Sequence, residues 1–396
     1  MDTTVSYPIS QPSDRTLGIP VFVFATVFAS LSIVIGLIWD ISWHISVGRD
    51  GLFSPPHLAM YLGAVISGVF SGYQVLKTTI AGTAAEKTQS VKFWKIFYGS
   101  LGAMFCIWGA IAMLTSAPFD DWWHNTYGLD VTILSPPHTV LLLGMVGIQF
   151  GAMVSVMAIQ NRSTQLADEF SEKRNRILNV IYAMAGGFFL MMVCTILSEY
   201  QSRHDMHSAT FYIVAGIFYP LLLSAFSRSS QSRWGATSAA AVYMLVQLLM
   251  NWILPLFPAE PKLGPILNPI DSFQSWDFPL LLIIPALALD YIQHKTLRND
   301  WFRALIIGPA FILILLLVQW NMGDFLMTEY ARNWVFGTET WYFGNSPDWE
   351  YRYAYAPWMV STGWILVRGI LIAIGIAVLT SRLGLYWGNW MKKVQR

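Results

Sequence analysis

Residues 40–57 read DISWHISVGRDGLFSPPH, and residues 120–138 repeat most of this pattern as DDWWHNTYGLDVTILSPPH. Both segments contain an aspartate, a histidine four residues later, a glycine, a second aspartate and a Ser-Pro-Pro-His ending. The second segment has one additional residue between its later aspartate and its serine. Each segment joins one long apolar run to the next. The pattern therefore predicts two helical hairpins that point in the same direction, which is a parallel internal repeat.

The overall composition indicates a membrane protein. The 396 residues are 55% hydrophobic and 12% charged, whereas soluble domains have about 25% charged residues. Apolar runs of about 20 residues, long enough to cross a bilayer, predict an all-α polytopic membrane protein with ten transmembrane helices. We place these helices near 19–40, 57–77, 97–118, 138–159, 177–199, 209–227, 236–256, 278–294, 302–320 and 357–381, the eighth being short. The first run lacks the basic lead-in of a signal peptide and is expected to be retained.

Several classes of protein are disfavoured by the same composition. The two cysteines, Cys106 and Cys194, lie inside apolar runs and indicate no disulfide framework. A net charge of +1 gives no reason to expect nucleic-acid binding.

We divide the chain into residues 1–165, which contain the duplicated hairpins, and residues 166–396, which contain further helices. The second part includes a long aromatic loop at 321–356, predicted to be a lid, a docking surface or a segment along the lipid headgroups.

Basic residues predict the orientation. Eighteen of the 24 Lys and Arg residues lie at the N-terminus, after even-numbered helices or at the C-terminus. By the positive-inside rule, both termini should be cytoplasmic, in the cell membrane or an intracytoplasmic membrane. The opposite, extracytoplasmic face has fifteen acidic residues and every histidine except His294. Histidine has no intrinsic preference for one side of a bilayer, so this asymmetry indicates a local function.

The spacing in the first hairpin brings three ligand side chains together. Asp40 and His44 are four residues apart and share one face of a helix. Gly48 allows a turn, and Ser54 precedes two prolines that suit the first turn of the returning helix. His57 should therefore return level with Asp40 and His44, because antiparallel helices pack about 8–10 Å apart. The same reasoning applies to Asp120, His124 and His138.

Two imidazoles and one carboxylate leave open coordination positions, which suits copper(II), zinc or non-haem iron(II). We expect both sets to bind metal, with Asp40, His44 and His57 in the catalytic role. The alternative is that single histidines here are structural, as Trp43, Trp122 and Trp123 are expected to be interfacial anchors. Asp50 and Asp130 are expected to be loop caps or partners of the ligands rather than ligands.

The first motif resembles a known family. Its pattern D-x3-H-x12-H is similar to the metal motif of the C subunit of the copper membrane monooxygenases, which oxidise methane, ammonia or short hydrocarbons. The flanking residues that also match are Ser42, Trp43, Arg49, Asp50, Phe53 and Pro55. The second segment matches the spacing of the family's second copper site, with Asp120 where the family is expected to have asparagine. The resemblance covers roughly residues 19–160, and ten helices exceed the number in that subunit.

This resemblance implies copper, a complex with other membrane subunits, and oxygen insertion from O2 into a small substrate. On it we expect a copper-dependent monooxygenase subunit. Two alternatives stay open: a non-catalytic subunit with metal sites, and a metal transporter or delivery protein. Transport requires polar groups across the membrane, and Asp290 is the candidate in the later helices, where it could instead pair with Arg368.

A third hairpin, SEYQSRHDMHSATF, places further ionisable side chains on the same predicted face. These are Glu199, His204 and His207. Their spacing is looser, and no proline pair opens the following helix. They are predicted to form either a third ligand set or a group of polar loop residues near the first two sets.

Overall fold

The computed structural model describes residues 17–49, 51–128, 135–163, 171–295 and 299–396. Within these ranges the protein is largely helical, and nine helices are long and apolar enough to cross a membrane. They are α1 (Val21–Ser46), α2 (Pro55–Ala81), α4 (Leu101–Tyr127), α5 (Pro136–Ser163), α6 (Ser171–Ile196), α7 (Ala209–Ser229), α8 (Gly235–Ile253), α10 (Asp300–Leu326) and α11 (Gly363–Met391). The predicted polytopic, helical membrane fold is confirmed at this level.

The remaining regular elements are short. A five-residue helix, α3 (Ala84–Thr88), precedes an antiparallel hairpin formed by β1 (Val91–Phe93) and β2 (Phe97–Gly99). An eleven-residue helix, α9 (Ile283–Gln293), lies between α8 and α10. Three-residue 3-10 turns occur at Ser198–Tyr200, Arg203–Asp205, Leu254–Leu256 and Glu329–Ala331.

Glycines allow the two hairpin helix pairs to pack closely. In the α4–α5 pair, a Cβ added to Gly109 would lie 2.5 Å from the Gly144 carbonyl oxygen, and one added to Gly144 would lie 2.8 Å from the Gly109 oxygen. In the α1–α2 pair, a Cβ at Gly36 would lie 2.8 Å from the Pro56 oxygen. Small residues at such crossings are typical of membrane helices, where association depends on close van der Waals contact.

The predicted eighth transmembrane helix, 278–294, is only partly helical. Residues 274–281 are non-helical, and α9 begins only at Ile283, after its N-cap Leu282. The whole segment nevertheless runs antiparallel to α8. Near one end of α8, Gln247 and Asn251 donate side-chain hydrogen bonds to the Asp277 carbonyl oxygen at 2.6 and 3.1 Å. The length of the apolar run does not reveal this interruption. Side chains from other parts of the protein form hydrogen bonds with the non-helical backbone, in place of the next helical turn, and hydropathy does not show such contacts.

Asp290 fixes the other end of this antiparallel contact. It is fully buried and accepts hydrogen bonds from Thr237 N at 2.8 Å, Thr237 Oγ1 at 2.7 Å and Ala236 N at 3.3 Å. It therefore caps the N-terminus of α8, where a negative charge is favoured by the helix dipole. The predicted pairing with Arg368 is wrong, since the Arg368 side chain is exposed on α11 within the described chain.

The long loop after α10 covers the end of α1. The helix continues to Leu326, six residues into the predicted 321–356 loop, and beyond it the chain up to α11 has one 3-10 turn. Phe343 N donates to Ile45 O at 3.3 Å, and its ring lies where a Cβ of Gly48 would be. Ser42 and Ser46, on α1, exchange hydrogen bonds of 2.6 and 2.7 Å with the Gln274 backbone. The C-terminal end of α1 is thus hydrogen-bonded both to the segment before α9 and to the loop after α10.

Candidate metal centres

The second duplicated segment brings its three predicted ligands to one point. Asp120 and His124 lie on the last two turns of α4, and His138 lies in the first turn of α5. The Asp120 Oδ1 atom is 3.4 Å from His124 Nε2 and 3.3 Å from His138 Nε2. One ligand atom from each residue lies within 4.8 Å of the other two, and all three residues are partly buried.

These distances fit a shared metal ion. Bonds of about 2.0–2.1 Å in a tetrahedral site separate neighbouring ligand atoms by about 3.3 Å. The separations of 3.4 and 3.3 Å around Asp120 Oδ1 match that spacing. The three residues would supply three positions, which leaves room for at least one further ligand.

The orientation of His124 supports the same interpretation. Its Nδ1 atom lies 3.0 Å from the Gly128 carbonyl oxygen. A carbonyl oxygen only accepts, so Nδ1 donates the proton, and in the neutral ring Nε2 has a lone pair directed to Asp120. A metal-binding histidine commonly donates its other N–H to a backbone carbonyl in this way. Two acceptors that face each other need a metal ion or a proton between them.

Gly128 has a backbone conformation that presents this carbonyl. Its φ is 89° and its ψ is −175°, a region that only glycine enters readily, and its N–H donates to His124 O at 3.0 Å. The glycine in the repeated pattern therefore terminates α4 and orients a predicted ligand.

The first segment forms a less compact arrangement. Asp40 contacts both predicted partners, but through different oxygens: Oδ2 lies 3.7 Å from His44 Nε2, and Oδ1 lies 3.3 Å from His57 Nε2. Among the described residues, these three do not form a group whose ligand atoms all lie within 4.8 Å. The His44 side chain is 51% exposed and that of His57 15% exposed. Asp40 and His57 are therefore the more buried and more closely spaced part of this set.

Trp43 has a structural role beyond that of an interfacial anchor. Its Nε1 donates to Arg49 O at 3.0 Å, and its ring lies 5.8 Å from that of Phe273. It therefore packs the turn after α1 against Phe273, just before the non-helical segment. Trp122 is exposed, as an interfacial residue would be. The predicted ligand partners Asp50 and Asp130 lie outside the described residues.

The third hairpin does not bring its ionisable residues together. Glu199 is exposed on a 3-10 turn. His204 Nε2 donates to the carbonyl oxygens of Tyr351 at 3.1 Å and Arg352 at 3.3 Å, so the long loop already uses this nitrogen. Burial, together with the neighbouring Arg203, lowers the pKa of His204. Within the described ranges these residues form no third ligand set.

His207 forms a pair that the sequence did not indicate. Its ring lies between those of Trp320 and Tyr355, with centroid distances of 3.9 Å on both sides. Its Nε2 is 3.1 Å from Asp324 Oδ1. Asp324, on α10, is far from His207 in the sequence, and no local motif indicates that the two side chains meet. The one sequence feature that points to this region is the aromatic character of the 321–356 loop.

Comparisons of the whole chain with protein-family models, with curated proteins and with solved structures find no match. The resemblance to the copper membrane monooxygenases therefore depends on the two sequence motifs alone.

Proposed function

We propose that this protein binds copper at Asp120, His124 and His138 and, less tightly, at Asp40, His44 and His57, as a subunit of a membrane monooxygenase. Its substrates would be O2 and a small hydrocarbon or ammonia-like molecule, and other membrane subunits would complete the enzyme. The observation that supports this best is the convergence of the second set around Asp120 Oδ1, at 3.3 and 3.4 Å from two imidazole nitrogens. The two sets would belong to duplicated, parallel hairpins at the extracytoplasmic side.

The chemistry of the donor set determines which ions fit. Neutral imidazole and carboxylate ligands suit copper(II), zinc and non-haem iron(II), and the motif resemblance favours copper. Bound copper would supply the binding and reduction of O2. Each site's own residues fix coordination: Asp120 provides the negative charge, and the Gly128 carbonyl holds His124 in the required tautomer.

A small apolar substrate would reach this end of α4 from the bilayer. Aromatic side chains lie at the same helix end: Phe119 and Trp122 stack at 6.0 Å, and Trp122 is 53% exposed.

Metal transport is the weaker alternative. Asp290, the buried acid that transport would use, already accepts three hydrogen bonds from the N-terminus of α8. An acid engaged in this way is a helix cap rather than a binding position for a moving ion. The ligand sets lie at helix ends, so a path through the membrane would need other groups.

Metal analysis of the purified protein in lipid nanodiscs tests the proposal. After copper supplementation, the His124→Ala/His138→Ala variant should lose the more tightly bound copper, and His44→Ala/His57→Ala should lose the weaker fraction. His294→Ala is the matched control, because His294 is bonded to Arg233 O at 2.8 Å, away from both sets. Absence of bound transition metal in the wild type would refute metal binding. Copper retention without O2 consumption, with partner subunits present, would instead favour a non-catalytic metal-binding subunit.

A further inference from the structure

A cavity of about 180 Å³ lies between the non-helical segment 274–281, the third hairpin, the long loop and the end of α1. Its wall includes Ile45, Arg203 and His204, the non-helical residues 275–277 and loop residues 340–342. None of the six predicted metal ligands lines it. The cavity is therefore separate from the candidate metal centres, and the inference drawn from it does not depend on metal binding.

The chain is unwound beside this cavity. Residues 274–281 are non-helical, and side chains of neighbouring helices bind their backbone: Tyr243 Oη accepts from Leu280 N at 2.9 Å, and Gln319 Oε1 accepts from Leu281 N at 3.0 Å. Non-helical backbone at membrane depth occurs where it is buried in protein or lines a cavity. Discontinuous membrane helices are also where small polar substrates commonly bind. The unwinding thus provides an independent indication of a binding site.

Two oppositely charged residues line the cavity without forming an ion pair. In the described chain, Arg203 is 5% exposed, donates a hydrogen bond to Thr338 O at 2.9 Å and lies 5.8 Å from the centroid of the Trp341 ring. Asp277 also lines the cavity and interacts electrostatically with Arg203, but no contact within 4 Å joins the two side chains in the described chain. A guanidinium has five N–H donors, and leaving a buried charge without close compensation is unfavourable. A ligand that contacts both groups would provide that compensation.

The lining also defines the charge of the ligand. Arg203 and Asp277 are the two charged residues that line the cavity, and His204 donates Nε2–H to two carbonyl oxygens as a neutral ring can. A net anion or a net cation would meet one favourable and one unfavourable charge in the cavity. A molecule with both a positive and a negative group can meet a favourable partner with each. Trp276, Trp341 and Tyr342 complete the wall.

We propose that this cavity binds a small zwitterion of the amino-acid class, with its carboxylate at Arg203 and its ammonium group at Asp277. Arg binds carboxylates through two parallel hydrogen bonds, and aromatic faces favour an adjacent cation. The volume limits the ligand, because a cavity of about 150 Å³ holds benzene, a molecule of six heavy atoms. Glycine, alanine and proline fall within this range.

Equilibrium binding of radiolabelled glycine, alanine and proline to the full chain in phosphatidylglycerol nanodiscs tests this proposal. At least one should bind saturably to the wild type. Asp277→Asn and Arg203→Lys should each weaken that binding by about tenfold or more. Asp277→Asn preserves the fold, since α8 holds the backbone carbonyl of Asp277 rather than its carboxylate. Asp271→Asn, an exposed acid on the same segment that does not line the cavity, should leave binding unchanged.

Competitors separate the ligand classes. Unlabelled acetate, methylammonium and glucose should compete poorly, because each lacks one of the two charges or both. No saturable binding of any of the three amino acids, or equal competition by glucose, would overturn the proposal. A parallel sample in phosphatidylethanolamine distinguishes two sources of the same chemistry. Retained binding indicates a free solute, and lost binding indicates that a zwitterionic lipid headgroup occupies the charge pair.

Discussion

Asp120 Oδ1 lies between the imidazoles of two helices, 3.4 Å from His124 Nε2 and 3.3 Å from His138 Nε2. One carboxylate oxygen therefore serves both histidines, whereas in the first segment the two histidines contact different oxygens of Asp40. The two sets are similar in sequence but are expected to differ in metal affinity. We attribute the expected difference to the way each aspartate contacts its two histidines.

Asp120→Asn should weaken copper binding at the second set by about tenfold or more, because the amide keeps the shape of the side chain but removes its charge. Competitive titration against a chelator of known affinity measures this change. Asp121→Asn is the matched control, since Asp121 is an exposed neighbour that contacts Asn125 at 3.3 Å. Equal copper affinities for wild type and Asp120→Asn would exclude Asp120 as a charged ligand.

Gly128→Ala should destabilise the end of α4 by about 1–3 kcal/mol, because its φ of 89° with ψ of −175° is strained for any residue with a Cβ. Relaxation of this strain would move the carbonyl that accepts from His124 Nδ1, so copper affinity at the second set should fall as well. Gly51→Ala is the control, because a Cβ there meets no atom within 4 Å. An unchanged affinity in Gly128→Ala would show that the carbonyl does not orient the ligand.

Asp290→Ala should lower stability by about 1–3 kcal/mol without changing copper content, because it removes the acceptor for the N-terminus of α8. Thermal denaturation in detergent measures the first effect and metal analysis the second. Asp290→Asn retains one carbonyl oxygen and should lose less stability. Copper flux into sealed vesicles that required Asp290 would contradict its role as a cap and favour transport.

The protein should lose stability as pH falls below about 6.5, the ordinary pKa of histidine. Burial lowers the pKa of His204 in the folded state, so the unfolded chain binds a proton first on acidification. Stability from this residue is thus complete above pH 6.5 and is lost between that pH and the lowered folded value. His204→Gln keeps a donor for the Tyr351 and Arg352 carbonyls, and its melting temperature should fall less with acid. If the melting temperature of this variant fell with acid as steeply as that of the wild type, the effect would belong to other groups. His207 is one such group, because burial also lowers its pKa.

Most of the helical framework could be predicted from the sequence, because bilayer-spanning apolar runs are a strong signal. The exception is informative: 278–294 has the composition of a helix, yet its first residues are non-helical. Gln247 and Asn251 donate hydrogen bonds to the backbone just before it, at Asp277 O. They are isolated polar residues within an apolar run, and their significance depends on a contact that the sequence does not display.

The candidate site was predictable only in part, for a geometric reason. Spacing places Asp40 and His44, like Asp120 and His124, on one helix face, and the structure has both pairs in contact. The distance from each pair to the histidine of the returning helix depends on how the two helices cross, which spacing does not determine. His207 and Asp324 were not paired in advance because they meet only in the folded chain.

The non-helical segment before α9 also has a consequence for topology. The described chain has nine helices long and apolar enough to cross a membrane, and nine crossings would leave its two ends on opposite sides of the bilayer. The non-helical segment and α9 together run antiparallel to α8, and if they also crossed the bilayer the number of crossings would be even. We therefore expect reporters fused to either terminus to respond from the same compartment.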